Sequence, residues 1–247
     1  MRFLEKLFKT FSTQVLPTAC IVCGLFQKLS ICEKCLDLLK ANGLMNYECC
    51  TQCGICLEVS ELDEQRCTQC VINPPYFDQT YCLDRYDGIL QKALHQLKYQ
   101  KRLAFAYGLA DAWNQTIDDQ CLDQYARYLL PVPLSEEKLA RRGFNQSWEI
   151  AQRICCGSHI KKSPYILRRY HHPEHQAGGS FTSRQHWAGG MFYIDPLYLE
   201  SIENRHVIVF DDVMTTGATL NEIARVLKDN GVSHVINWVL LRTSRFN

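Results

Sequence analysis

Val207-Ile208-Val209-Phe210-Asp211-Asp212-Val213-Met214-Thr215-Thr216-Gly217-Ala218-Thr219 is the stretch on which the reading of this chain turns. It opens with four apolar residues, the pattern of a strand buried on both faces. It closes in small and hydroxylated residues that lead into a helix near Leu220, whose apolar stripe is Leu220, Ile223, Ala224 and Leu227. Asn230-Gly231 stops that helix, and residues 235–241 form a second apolar run. Strand, loop, helix and strand in succession make a βαβ unit, which requires a parallel sheet.

The loop inside that unit carries the chemistry. Small and hydroxylated residues at a helix N-terminus present backbone N–H groups and hydroxyl donors to an anion, and the helix dipole adds to the attraction. Gly217 permits close approach of the backbone. The loop lacks the GK[ST] of a Walker A motif and the GxGxxG of a dinucleotide fold. Asp211 and Asp212 precede it, at the end of a strand where open α/β sheets bind ligands. There, two carboxylates can accept hydrogen bonds from a sugar diol while the phosphate of that sugar sits in the cup formed by residues 215–219.

Working back from this unit, the alternation of strands and helices continues. Residues 76–86 have strand character, and Leu90, Ala93, Leu94 and Leu97 line one face of a helix. A second helix is expected over 103–117, a strand over 125–133, and a helix with the stripe Phe144, Trp148, Ala151 and Cys155. Residues 169–190 are polar, contain two Gly-Gly pairs and lack periodicity, which suits a long functional loop.

The first third of the chain differs in kind. Ten of the 14 cysteines of this 247-residue chain lie before residue 71. Cys20-x2-Cys23-Gly24 and Cys32-x2-Cys35 are separated by eight residues, and Cys50-x2-Cys53-Gly54 and Cys67-x2-Cys70 by 13. A two-residue gap lets both thiolates face one ion across a tight turn, and two such turns complete a closed tetrahedral zinc site of the structural type. Glycine after the second cysteine permits the positive φ with which backbone amides turn back towards the sulfurs. Cys53-x2-Cys56 is followed by Leu57 instead, so Cys49 and Cys56 are left as spares. Local loop closure favours sequential pairing of the turns (20, 23, 32, 35 and 50, 53, 67, 70), and an interleaved cross-brace uses the same ligands.

Asn73-Pro74-Pro75 cannot continue a helix or a central strand and reads as a linker. The expected division is therefore a double zinc ribbon over 1–72 and an α/β domain over 76–247. Residues 1–17 interleave Phe3, Leu4, Leu7, Phe8 and Phe11 with Arg2, Glu5, Lys6 and Lys9, the pattern of an amphipathic helix rather than an export signal. No apolar run approaches the roughly 20 residues of a membrane span, so stable membrane insertion is not expected. A reducing cytoplasm, where cysteines persist as thiols or metal ligands, is the expected location.

Taken together, the 13 residues 207–219 resemble the binding signature of type I phosphoribosyltransferases for 5-phosphoribosyl 1-pyrophosphate (PRPP). With the cysteine pairs, Leu97-Lys98-Tyr99, Pro131-Val132-Pro133-Leu134 and Arg141-Arg142-Gly143-Phe144-Asn145-Gln146-Ser147, the whole chain resembles the ComF family of competence proteins, which includes the GntX-like proteins. The resemblance implies a type I phosphoribosyltransferase-like parallel sheet with flanking helices behind a small zinc-ribbon domain. It assigns Asp211 and Asp212 to the ribose hydroxyls and Thr215, Thr216, Gly217, Ala218 and Thr219 to the 5-phosphate. Arg141, Arg142 and Gly143, with Lys98, would form the pyrophosphate side. Leaving pyrophosphate develops negative charge that cations, backbone donors and Mg²⁺ stabilise. Residues 176–192 occupy the place of the family's closing loop, with Gln176, Arg184 and Phe192 aligned to recurring positions. Gly179, His186 and Trp187 depart from it.

The family also implies a role in DNA uptake and natural transformation, handling internalised single-stranded DNA alongside a competence helicase or other transformation proteins. A net charge of +1 hides a local bias that suits this. Residues 138–184 hold nine Lys or Arg against Glu149 and Glu174, with Tyr165, Tyr170, Phe181 and, just beyond, Trp187 as stacking surfaces. Two alternatives stand beside this reading: an active phosphoribosyltransferase in nucleobase salvage or modification, and an interaction adaptor with a vestigial PRPP site.

Overall fold

The computed structural model describes residues 18–117, 123–170 and 191–244. In chain order the strands are β1 (Thr18–Ala19), β2 (Phe26–Gln27), β3 (Gln79–Arg85), β4 (Ala126–Pro131), β5 (Lys161–Lys162), β6 (Leu167–Arg169), β7 (Phe192–Ile194), β8 (His206–Met214) and β9 (His234–Arg242). The α-helices are α1 (Glu33–Asn42), α2 (Thr68–Ile72), α3 (Gln91–Gln100), α4 (Ala104–Thr116), α5 (Glu136–Arg142), α6 (Gln146–Ala151), α7 (Leu199–Ile202) and α8 (Ala218–Asp229).

Five strands form one sheet in the order β3-β9-β8-β4-β5, every pair parallel. The central strands β8 and β9 are apolar along most of their length because both faces are covered. Alternation divides their side chains between two layers. Ile208 and Phe210 face the layer of α3, α4 and α6, where Trp113 lies edge-on to Phe210 at 5.8 Å and tilted on Trp238 at 5.4 Å. Val207 and Val209 face the layer of α8 and the antiparallel pair β6–β7.

The cysteine-rich segment is built into both layers. Ile21, Ile31 and Leu39 join the core that holds α3 and α4, while Leu44 and the second set of cysteines join the core beneath α8. The apolar interior thus runs without a break from the cysteines into the sheet.

The α/β alternation matches the expectation, with informative differences at the boundaries. The helix expected to carry Phe144, Trp148, Ala151 and Cys155 runs only from Gln146 to Ala151, so Phe144 precedes it and Cys155 lies exposed beyond it. Helix α5 was not anticipated, because Glu136 to Arg142 is too charged to show an apolar stripe. Ser135 starts it, accepting from the Lys138 N–H, and two glutamates in the first turn with two arginines in the last complement its dipole. Strand β8 continues past the apolar run to Met214, so Asp211 and Asp212 lie within the strand. Among the described residues no helix is long and apolar enough to cross a membrane.

Candidate functional site

The eight cysteines of the four CxxC turns gather into two clusters, Cys20, Cys23, Cys32 and Cys35, and Cys50, Cys53, Cys67 and Cys70. This settles the pairing order as sequential; the interleaved arrangement is not formed. Within each cluster all four sulfurs lie within 4.8 Å of one another. Within them Cys23 and Cys32 lie 3.8 Å apart, and Cys53 and Cys67 3.7 Å. A zinc–sulfur bond of about 2.3 Å puts the edge of a tetrahedron at about 3.8 Å, so the donor set fits that ion.

The knuckle glycines behave as their sequence position requires. Gly24 and Gly54 have φ of +76° and +68°, and their N–H groups donate to the carbonyls of Cys20 and Cys50. Each cluster also favours one thiolate. Burial pushes Cys20 up, but backbone donors from Cys23, Cys32 and Val22 outweigh it and bring the thiol down to about 6. Cys50 is lowered by hydrogen bonds from Cys53 and then Cys70.

At the C-terminal end of the sheet, β8 delivers the acidic pair directly into the loop. Asp212 is buried, and the Lys98 ammonium, from the last turn of α3, sits 2.7 Å from its Oδ2. The Asp212 N–H donates to Asp211 Oδ1 at 2.9 Å. Burial, and next the Asp212 charge, hold the Asp211 carboxyl well above the usual carboxylate range, with Lys98 acting in the opposite direction. Past Met214 the chain turns through Gly217 at φ +81°, which is the N-cap of α8. Thr216 Oγ1 accepts from the Ala218 N–H at 3.3 Å, and Thr215, Thr216, Ala218 and Thr219 are all exposed. The loop is therefore an open rim of hydroxyls and amides beside an acidic pair in which Asp212 is buried and paired with Lys98.

The cationic residues separate into two groups. Arg142 is buried, donates to Gln146 Oε1 and places its guanidinium 5.8 Å over the ring of Tyr99, the neighbour of Lys98. Lys98 thus contacts the acidic pair directly, and Arg142 packs against the same helix through Tyr99. Arg141 is exposed on α5, and Gly143 ends that helix. Gln176 and Arg184 lie outside the described residues, as do His175, His186 and Trp187. Phe192 is described, buried in β7 beneath the Arg169 guanidinium at 5.5 Å.

Arg242 was missed by sequence reasoning. Buried at the end of β9, it donates through Nε to the Cys53 carbonyl at 3.0 Å and through Nη1 to the carbonyls of Met214, at 3.2 Å, and Thr215. It staples the second cysteine knuckle to the start of the loop 215–219, and a cavity of about 590 Å³ lies between the two. A charged residue closing an apolar strand was the one available sign of it.

The basic stretch is less free than its composition suggests. Arg153 pairs with Glu149 at 2.8 Å and lies 4.1 Å over Tyr107, and Lys162 donates to the carbonyls of Gln152 and Ile154. Arg168 and Arg169 stand half-buried on β6, opposite Tyr193 and Phe192. Beside them Tyr170 and Tyr193 stack at 4.4 Å, and Tyr165 is exposed.

With this geometry in place, the comparisons with known proteins fall into line. The phosphoribosyl transferase domain family matches residues 142–245. The DNA utilization protein YhgH of Escherichia coli O6:H1 is 28% identical over 92% of this chain and 98% of its own length. Competence protein F of Haemophilus influenzae is 27% identical over 87% of this chain and 91% of its own. Competence protein ComFC of Bacillus subtilis is 23% identical over 91% and 95%. The chain is thus similar along nearly its full length to competence and DNA utilization proteins, and it carries a phosphoribosyltransferase domain behind two four-cysteine clusters that could hold zinc.

Proposed function

We propose that this protein binds PRPP, or a closely related phosphoribosyl ligand, at Asp211, Asp212 and the loop 215–219, and that it serves DNA uptake in natural transformation by handling single-stranded DNA. The observation that carries the ligand reading is the buried Lys98–Asp212 pair beside Asp211, at the point where β8 opens into the amide-rich start of α8. The acidic pair accepts from the ribose hydroxyls, and the loop donors hold the 5-phosphate. Mg²⁺ bound with the pyrophosphate of the ligand would supply charge neutralisation there. Lys98 and Arg142 furnish protein cations.

The DNA reading rests on the similarity to competence proteins and on the β6–β7 pair, where Arg168 and Arg169 adjoin the Tyr170–Tyr193 stack and exposed Tyr165. Cations beside aromatic faces suit single strands, whose bases stack and whose phosphates attract the charge. The cysteine clusters hold two structural zinc ions, and the junction between the cysteine module and the α/β domain falls at residues 73–75. The expected location is the cytoplasm.

Active transfer of the phosphoribosyl group is the second reading, favoured by the Lys98 cation held against the acidic pair. Calorimetric titration of the full chain with PRPP and Mg²⁺, followed by pyrophosphate-release assays with a panel of nucleobases, tests both. Binding without turnover on any base supports the ligand role, turnover supports the transferase, and absence of binding leaves the adaptor reading. For DNA, binding to single strands is expected to weaken steeply with salt and on replacing Arg168 and Arg169 with alanine. Equal affinity in that double variant would remove the DNA reading.

A further inference from the structure

Two cysteines outside both clusters are placed for a chemistry of their own. Cys49 and Cys56 flank the Cys50–Cys53 turn and face each other across an isolated antiparallel bridge. The Cys50 N–H donates to the Ile55 carbonyl at 2.7 Å and the Leu57 N–H to the Glu48 carbonyl at 2.8 Å. Those bonds bracket the Cys49/Cys56 position and make it a non-hydrogen-bonded pair, the closer of the two antiparallel classes, with a typical Cα separation of about 4.5 Å. That separation lies inside the window for disulfides.

The sulfurs are already 3.9 Å apart. Alternation along the strand turns Cys49 away from its neighbour Cys50, so closing this pair draws on no sulfur of the four-cysteine cluster. Both residues are half-exposed, and a cavity of about 200 Å³ lined by Cys49, Leu44, Gly54 and Cys82 opens beside them. A small oxidant can therefore reach the pair.

We propose that Cys49 and Cys56 form a dithiol oxidation site, closed to an intramolecular disulfide by a hydroperoxide while the adjacent four-cysteine cluster keeps its metal. One sulfur attacks the peroxide, breaking the O–O bond, and becomes a sulfenic acid as water or an alcohol leaves. The second sulfur then displaces water from the sulfenic sulfur, forming the S–S bond. Two thiols and one hydroperoxide give one disulfide, one water and the alcohol, or two waters when the oxidant is hydrogen peroxide. The bond spans the hairpin that carries the Cys50–Cys53 knuckle and clamps it. A dithiol reductant reverses the step.

The test uses the full chain with its metal bound. Treatment with one equivalent of hydrogen peroxide is followed by intact mass, non-reducing digestion and measurement of released zinc. The expected result is a mass loss of two hydrogens, a Cys49–Cys56 linked peptide, no zinc release and full recovery with dithiothreitol. Cys49→Ser and Cys56→Ser should each abolish the linked species, and Cys82→Ala should leave it. Oxygen adducts on Cys49 or Cys56 without a link would overturn the proposal, as would a link to Cys82 or a link within the cluster accompanied by zinc loss. The wild-type digest decides the matter even where a variant fails to fold.

Discussion

Replacing Lys98 with methionine perturbs the site at the contact that balances its charge. The Lys98 ammonium lies 2.7 Å from Asp212 Oδ2, and the side chains of the two residues are 16% and 6% exposed. Methionine keeps the length of the stem but removes the only ion-pair partner seen for Asp212 among the described residues. An uncompensated buried carboxylate costs about 3–5 kcal/mol, and the partial exposure of the lysine argues for the lower end, about 3 kcal/mol. For a chain of this size that corresponds to a fall in melting temperature of roughly 6–12 °C. Restoring charge balance with Asp212→Asn in the same chain should recover most of the loss, because a neutral amide beside methionine leaves no orphaned charge. Differential scanning calorimetry of wild type, the two single variants and the double variant measures the coupling. A Lys98→Met melting temperature within 1 °C of wild type, or no recovery in the double variant, would refute the reasoning.

Asp211, held above the ordinary carboxylate range first by burial, keeps its proton to higher pH in the folded state than in the unfolded state. The folded state then binds more protons, so stability falls as pH rises from about 4 towards the raised value and levels off beyond it; Asp211→Asn should remove that slope in denaturant titrations at several pH values. Arg242→Met strips donors from the carbonyls of Cys53, Met214 and Thr215, with an expected cost of about 3 kcal/mol and weaker phosphoribosyl binding, measured by denaturation and calorimetry. Elemental analysis should find two zinc ions per chain. Cys23→Ser, at the exposed ligand of the first cluster, should lower the zinc content towards one and leave the second cluster loaded.

The parts of the site that were legible in the sequence are those written in local spacing. The strand-loop-helix at 206–229 and the four CxxC turns each declare themselves within a dozen residues, because burial periodicity, glycine φ and ligand geometry act at short range. Pairing order was legible in part: local loop closure favours the sequential clusters that form, but a cross-brace uses identical spacings, and it is packing against two separate layers of the sheet that distinguishes them. The Lys98–Asp212 contact and the Arg242 staple were hidden for a related reason, since each joins segments far apart in sequence that only the parallel sheet brings together. Helix α5 escaped because its stability comes from its cap and charge placement rather than an apolar face, and with it went the burial of Arg142. The basic stretch misled in the opposite sense, for Arg142, Arg153 and Lys162 serve intramolecular contacts that composition does not reveal.

The claim at the centre of this account is that the acidic pair and the loop 215–219 form one phosphoribosyl site. Isothermal titration of the full chain with PRPP in the presence of Mg²⁺, set against the Asp211→Asn/Asp212→Asn double variant at matched zinc content, tests it most directly. The account predicts one site per chain in the wild type and a loss of affinity of at least about tenfold in the variant, equivalent to about 1.4 kcal/mol. No binding to the wild type, or equal affinity in the two proteins, would contradict it.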